Sequence, residues 1–323
     1  MRAVVQRGYG GPERLSVEQR PAPIPGRGQV RVRVEAVSPD SGTLHILTGE
    51  PRVLRPFVGQ RTPRQPVIGL AFAGVVEQLG DGVDEWAIGD RVTGAAPAAF
   101  AELVVARADR VARIPDGVSS GDAATLPVSA STALQAVRDA ARIEAGQRVL
   151  VIGAGGGVGS FLVQLAALRG AHVTAVVSAA KSPLARELGA ERTIDYRATP
   201  DPVQWGAHDV VIDTADGRPL SVLRRALTPS GTLVIVGADG AGGPLLDGLE
   251  RQLLATVLNP WVRHRLTSVV QRENAPDLRV LLDEMEGGRL RAPIDRVLTL
   301  EDAPEALRLQ AERAVAGKLV LTV

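Results

Sequence analysis

The stretch Arg148-Val-Leu-Val-Ile-Gly-Ala-Gly-Gly-Gly-Val-Gly-Ser160 constrains this chain more than any other. An apolar, β-branched run breaks into five glycines and then into a helical pattern through Phe161, Leu162, Leu165 and Leu168. The run suits a parallel strand buried on both faces. The glycines let the backbone turn tightly and approach a pyrophosphate, whose negative charge the first helical N–H groups and their dipole favour. Read as G/A-x-G-x-x-G, the fingerprint is Ala154, Gly156 and Gly159, with Gly157 and Val158 inside it. Glycine-rich turns also occur where a helix merely packs close to a strand, but the flanking strand and helix favour the dinucleotide reading.

At 323 residues, with 45% hydrophobic and 23% charged content, the chain can build a sizeable core and two domains. A net charge of +1 makes no electrostatic case for nucleic acid or an anionic membrane. Met1–Gln6 reads as an edge strand, and no apolar run approaches the roughly 18 residues of a membrane helix. The expectation is a soluble cytoplasmic protein. The absence of cysteine excludes disulfides, thiol nucleophiles and thiolate metal sites. Lys181 and Lys318 are the lysines of an arginine-rich chain, a bias read as coding preference.

Gln29–Val37 alternates Val30, Val32 and Val34 with Arg31, Arg33 and Glu35, the period of a half-exposed strand. Proline and glycine mark loops at Pro21–Gly28 and Gly49–Pro66, the second long enough to serve as a lid or binding loop. From Ala123 helices and strands alternate: helix Ala123–Ala141, strand Val149–Ile152, helix Ser160–Leu168, strand His172–Val177 and helix Ser182–Leu188. Strands at Thr193–Asp195, Asp209–Asp213 and Thr232–Gly237 follow, with a helix at Leu220–Leu227. That grammar predicts an α/β fold with a doubly wound parallel sheet. A helix from Asn274 to about Glu286 and strands Ile294–Leu300 and Lys318–Val323 lack a nucleotide fingerprint. They are expected to return to the N-terminal domain, giving a discontinuous domain 1–122 plus 275–323 around a Rossmann domain 123–274.

Several segments fall in a telling order: Gly69-Leu-Ala-Phe-Ala-Gly-Val-Val-Glu77, Gly89-Asp-Arg-Val92, Ala124-Thr-Leu-Pro127 with Thr132-Ala133, and Gly153–Ser160. Leu188-Gly-Ala190 with Ile194-Asp-Tyr196, Asp209–Thr214 and Gly317-Lys318 continue it. Together, over essentially the whole chain, they resemble the medium-chain dehydrogenase/reductase superfamily, in its zinc-free quinone-oxidoreductase-like branch. The resemblance implies a GroES-like, mostly β catalytic domain, a Rossmann domain, NADPH in the cleft between them, and commonly a homodimer.

Zinc-dependent relatives are similar around Asp40 but place a cysteine there, and a His-Glu pair after the glycine matching Gly69. Here Leu70 and Ala71 stand in that pair's place, and apolar groups donate no electrons to a cation. His45, His172, His208 and His264 are scattered without metal-ligand spacing, and the relatives' cysteine cluster is missing. No metal is expected. In NAD-binding units a carboxylate about 20 residues past the glycines accepts the ribose 2′-OH. Val177 occupies that place here, followed by Ser178-Ala-Ala-Lys181, and a hydroxyl with an ammonium suits a 2′-phosphate. Lys181 resembles the basic residue of NADPH-dependent relatives and Tyr196 the tyrosine flanking the same phosphate; alternatively, Lys181 merely solvates the start of the next helix. Thr214 and Gly237, at the ends of later strands, complete the expected NADP(H) set.

Hydride transfer is the nicotinamide's own chemistry, so the protein has to position the reactants and stabilise developing oxyanion charge. Relatives place an asparagine where Asp40 stands and often a tyrosine where His45 stands, both lining the nicotinamide end. Asp40 is a departure, since a carboxylate near an enolate destabilises it unless protonated. It serves either the reaction or the cap of a helix Ser41–Leu47. His45 fits a proton donor or a packing histidine. Thr132 resembles the family threonine at the nicotinamide carboxamide, or bonds a carbonyl one turn back. Arg52, Arg55, Arg61 and Arg64 recognise an anion or form a solvated surface. The stretch Leu253–Val270 with Asn259-Pro-Trp261 resembles a segment seen in one bacterial subgroup, and serves the substrate pocket or the dimer contact; Trp261 is an anchor there or a core residue. The expected function is zinc-independent, NADPH-dependent reduction of a quinone, an α,β-unsaturated carbonyl or a simple ketone, with no nucleic-acid or membrane partner. The alternatives are a nucleotide-binding structural or regulatory relative with little turnover, and a tailoring reductase of a biosynthetic pathway.

Overall fold

The alternating valines of Gln29–Ser38 form the central strand of the first of two compact units, Met1–Ser131 with Arg272–Val323 and Thr132–Gln271. The computed structural model describes residues 1–214, 217–237, 246 and 249–323. In the first unit β1 (Arg2–Gln6) and β2 (Leu15–Gln19) pair as an antiparallel ribbon. β3 (Gln29–Ser38), β4 (Ala71–Leu79), β5 (Arg91–Ala95), β6 (Leu103–Arg107) and β7 (Val111–Arg113) follow. β4 lies between β3 and β5, β7 pairs with β5, and β6 pairs with β3, all antiparallel. Val30, Val32 and Val34 are buried among Phe72, Val92, Phe100 and Val111, while the intervening Arg31, Arg33 and Glu35 reach toward solvent. The period-two pattern stops at Glu35, and Ala36, Val37 and Ser38 are all buried.

The second unit holds β8 (Arg148–Ile152), β9 (His172–Val177), β10 (Arg192–Asp195), β11 (His208–Asp213), β12 (Leu227–Val236) and β13 (Arg265–Val269). All pair in parallel, in the order β10-β9-β8-β11-β12-β13, the doubly wound arrangement expected. Val149–Ile152 are buried on both faces, and Phe161, Leu162 and Leu165 of the helix Gly157–Leu168 are buried. That helix starts before the expected Ser160, because Gly156 is its extended N-cap and the glycines themselves make the first turn. A helix, Leu249–Leu258, which begins before the expected segment Leu253–Val270, leads into a sixth strand. β13 lies at the sheet edge and buries Leu266 while its other residues stay partly or wholly exposed, so its sequence carries no apolar run.

The chain then returns to the first unit. The helix Ala275–Glu286 is followed by β14 (Ile294–Thr299) and β15 (Lys318–Thr322), which pair in parallel, and β15 lies antiparallel to β3 with Leu321 opposite Val37. This pairing accounts for the burial at the end of β3. The first crossing between units falls at Ser131/Thr132, later than the expected 122/123, and the second at Gln271/Arg272 rather than 274/275. Ser120–Ala124 sits against β3 and β4, held by Thr93 Oγ1 donating to the Ala123 carbonyl at 2.9 Å and Ser120 Oγ donating to Glu35 at 2.7 Å. No helix among the described residues is long and apolar enough to cross a membrane.

Candidate functional site

In the second unit, the carboxyl ends of the parallel strands gather most of the expected cofactor residues on one edge of the sheet. β8 runs into Gly153 and Ala154, β9 into Ser178, β10 into Tyr196, β11 into Thr214 and β12 into Gly237. The strand order reverses at β8 and β11, and open α/β sheets take ligands outside the carboxyl ends at such a switch point.

The turn is built by close approach. A Cβ on Gly159 would stand 2.1 Å from the Gly153 carbonyl oxygen and 2.8 Å from Ala154 Cα, so only glycine lets the helix start press against the strand end. The helix Gly157–Leu168 has no side chain capping its N-terminus, which leaves the first-turn N–H groups and their dipole to face an anion. Lys181 lies over this turn: a Cβ on Gly155 would be 2.7 Å from Lys181 Cδ. Ser178 is the half-buried residue after β9, and its carbonyl accepts from the Lys181 N–H at 2.9 Å. The Tyr196 N–H reaches the Val177 carbonyl at 3.3 Å, which sets its partly exposed ring beside the end of β9, with the Arg197 guanidinium 5.2 Å from the ring centre. Thr214 donates both its N–H and its hydroxyl to the Ile152 carbonyl, at 3.1 and 2.9 Å, which leaves the hydroxyl oxygen only its lone pairs to offer a ligand. A glycine cradle, an open helix start and a lysine whose stem packs over the turn fit a dinucleotide phosphate. Thr132 opens the second unit, half-buried in the helix Ser131–Gln135.

Asp40 and His45 belong to the first unit. Asp40 caps the helix Ser41–Thr48, its Oδ1 accepting from the Thr43 N–H at 2.8 Å and from Thr43 Oγ1 at 3.1 Å. The cap is therefore present, yet it uses one carboxyl oxygen of a residue that is 3% exposed. Oδ2 is buried with no hydrogen-bond partner among the described residues. Burial pushes the Asp40 carboxyl above the usual aspartate range, against the charge of Lys318, the Thr43 bonds and His45. His45 is half-buried one turn further along the same helix.

Leu70, beside Gly42 and the cap, and the buried Ala71 bring no donor atoms to this end of the unit. Among the described residues no three histidine, aspartate or glutamate side chains cluster as metal ligands. In the proline-rich loop Arg55 bonds the Gly49 carbonyl at 2.9 Å and stacks on Tyr9, whose hydroxyl donates to the Gly59 carbonyl. Arg55 thus holds the loop together, while Arg52, Arg61 and Arg64 are exposed. Trp261 is 85% exposed, neither packed in a core nor lining a described cavity. Sequence reasoning gave no site role to three residues: Lys318, buried near Asp40, and the ion pair of Asp213 with Arg251. The rarity of lysine was the signal available for the first.

Comparison with known proteins agrees with this architecture. Residues 26–116 match the family described as alcohol dehydrogenase GroES-like domain, and residues 188–321 the family described as zinc-binding dehydrogenase. A chloroplastic quinone-oxidoreductase homolog of Spinacia oleracea is 33% identical over 345 residues, spanning 99% of this chain and 98% of that protein. Polyketide synthase GfsB of Streptomyces halstedii is 35% identical over 268 residues, but these cover 81% of this chain and 5% of that much longer protein. The structure of Escherichia coli quinone oxidoreductase complexed with NADPH superposes with a TM-score of 0.85 at 25% identity, covering 100% of both chains. Fold, motif order and full-length likeness together place the chain in the medium-chain dehydrogenase/reductase superfamily of oxidoreductases, in its quinone-oxidoreductase-like branch.

Proposed function

We propose that this oxidoreductase transfers a hydride from NADPH, without a metal, to a quinone, an α,β-unsaturated carbonyl or a simple ketone, as a cytoplasmic homodimer. The observation that carries the reading is the turn Gly153–Gly159 at the switch point with Lys181 packed over Gly155. NADPH, when bound, supplies the hydride. The uncapped helix start would hold its pyrophosphate, and Ser178, Lys181 and Tyr196 would bind the 2′-phosphate, which an ammonium attracts and a carboxylate would repel. Thr132 orients the nicotinamide carboxamide. The E. coli enzyme's complex with NADPH supports the choice of cofactor.

Asp40 takes the place of the family's amide. Its Oδ1 lone pairs are engaged by two donors from Thr43, so the proton of the neutral acid sits on Oδ2, the atom without a partner. In that form it donates a hydrogen bond to the acceptor's carbonyl oxygen, stabilising charge as the hydride arrives. His45, one turn further along the same helix, is the second proton donor of the reading. Leu70 and Ala71, apolar where metal-dependent relatives carry ligands, support metal independence.

The likeness to a segment of a polyketide synthase favours a second reading, a tailoring reductase of a biosynthetic pathway, with the same chemistry and a more specialised acceptor. The test is a steady-state screen of quinones, enones and ketones at fixed NADPH, with NADH in parallel. Turnover on one of these classes with NADPH is expected. Tight NADPH binding with no turnover on any class would instead make the protein a nucleotide-binding relative without catalysis.

A further inference from the structure

The turn that carries Asp40 is gripped from the other end of the chain. Lys318, the first residue of β15, is 3% exposed, and its Nζ donates to the Pro39 carbonyl at 2.5 Å and to Ser129 Oγ at 3.0 Å. At the next residue, the Leu319 carbonyl accepts from Ser38 Oγ at 2.7 Å. Ser38-Pro39-Asp40 is thus fixed by two successive residues of β15 just before Asp40 starts its helix.

A helix cap alone gives no reason for this construction. Asparagine caps about as well as aspartate, and burying a carboxylate and an ammonium costs free energy that a capping role does not recover. Among the described residues no direct ion pair joins Asp40 to Lys318, so each charge acts on the other while Asp40 Oδ2 stays without a partner. The charged groups acting on Asp40 are Lys318 from β15 and His45 from its own helix. Burial draws the Lys318 ammonium down to about 8, with Asp40 opposing.

We propose that Lys318 is a positioning residue for Asp40: it fixes the turn that presents Oδ2 and supplies the counter-charge of the carboxyl. The proposal rests on the reading of Asp40 as the group that meets the acceptor's carbonyl oxygen. It makes the proton affinity of Asp40 depend on a side chain nearly three hundred positions away in sequence, whose hydrogen bonds go to Pro39 and Ser129.

The chain has two lysines, so nitrogen-15 labelling of lysine gives two side-chain signals in the full-length protein, and Lys318→Met assigns them. Removing the carboxylate by Asp40→Asn is expected to lower the Lys318 titration midpoint by about one pH unit, a tenfold loss of proton affinity. An unchanged midpoint overturns the proposal, and it does so without reference to activity or to the folding of a lysine variant. The second measurement is the pH–rate profile of NADPH-dependent reduction of a simple quinone. Asp40→Asn should flatten the alkaline fall, and Lys318→Met should move that fall to higher pH, because a carboxyl without its counter-charge stays neutral longer. A lysine that only anchors the turn would lower the rate at every pH without moving the profile, and that result overturns the positioning role. If the lysine midpoint moves while the Asp40→Asn profile superimposes on wild type, the charges are coupled but Asp40 is outside the reaction, and the failure lies in the functional reading.

Discussion

Arg251 Nη2 lies 2.5 Å from Asp213 Oδ2, the carboxylate having no exposed surface and the guanidinium little. Asp213 ends β11 and is followed by Thr214, while Gln252, next to Arg251, donates to the Gly237 carbonyl at the end of β12. The helix Leu249–Leu258 is therefore tied to the carboxyl edge of the sheet through two adjacent side chains. Replacing Arg251 by methionine leaves the buried carboxylate without that cation and should cost about 3 to 5 kcal/mol in urea unfolding. Adding Asp213→Asn should recover part of the loss; no recovery would show that the two side chains are not energetically coupled.

Lys181→Ala should weaken NADPH binding by about 1 to 3 kcal/mol, the worth of a charge-assisted hydrogen bond, and leave NADH almost unchanged. Fluorescence titration with both cofactors reads this directly. Equal losses would remove Lys181 from 2′-phosphate recognition.

Gly159→Ala places a methyl 2.1 Å from the Gly153 oxygen, so the turn must open. Expected are a stability loss of about 1 to 3 kcal/mol, typical of overpacking, and a larger loss of affinity for both dinucleotides. Unaltered dinucleotide binding would contradict a pyrophosphate held at this helix start.

Lys318 also gives a stability signature. Its folded pKa, about 8, lies below the 10.5 of an ordinary lysine, so between those values the unfolded chain binds more protons than the native one. The cost of burying the ammonium is fully present below about 8 and is relieved as pH rises toward 10.5. Measured by urea unfolding, wild type should therefore gain stability relative to Lys318→Met across that window. A flat or falling difference would mean that Lys318 is not buried as a charge.

The proposed homodimer has a concrete candidate surface. β13 is an edge strand, and Val257, Trp261 and Val270 around it are 65%, 85% and 76% exposed. Trp261→Glu with Val270→Lys should convert a dimer to a monomer in light scattering while the far-ultraviolet circular dichroism stays the same. A monomeric wild type would refute the dimer outright.

The strand–glycine–helix start was readable from residues alone because it is local chemistry: β-branched residues for a strand buried on both faces, glycine where a carbonyl stands 2.1 Å from any Cβ, and apolar spacing for the helix. The strands β8 to β12 were legible for the same reason, whereas the return of the tail to the first unit was inferred from its lack of a nucleotide fingerprint. β13 was not, because an edge strand needs only one buried residue and leaves no periodic trace. The boundary at Ser131 was misplaced because the periodicity of a helix does not say which sheet it covers. Asp40 was identifiable as a departure from its relatives, and even its capping role was readable from the residues that follow. What only the tertiary structure decided is that this carboxyl is buried, has an oxygen without a partner, and feels an ammonium brought by β15. Burial and counter-charge come from contacts between residues far apart in the chain, and no local pattern of side chains encodes them.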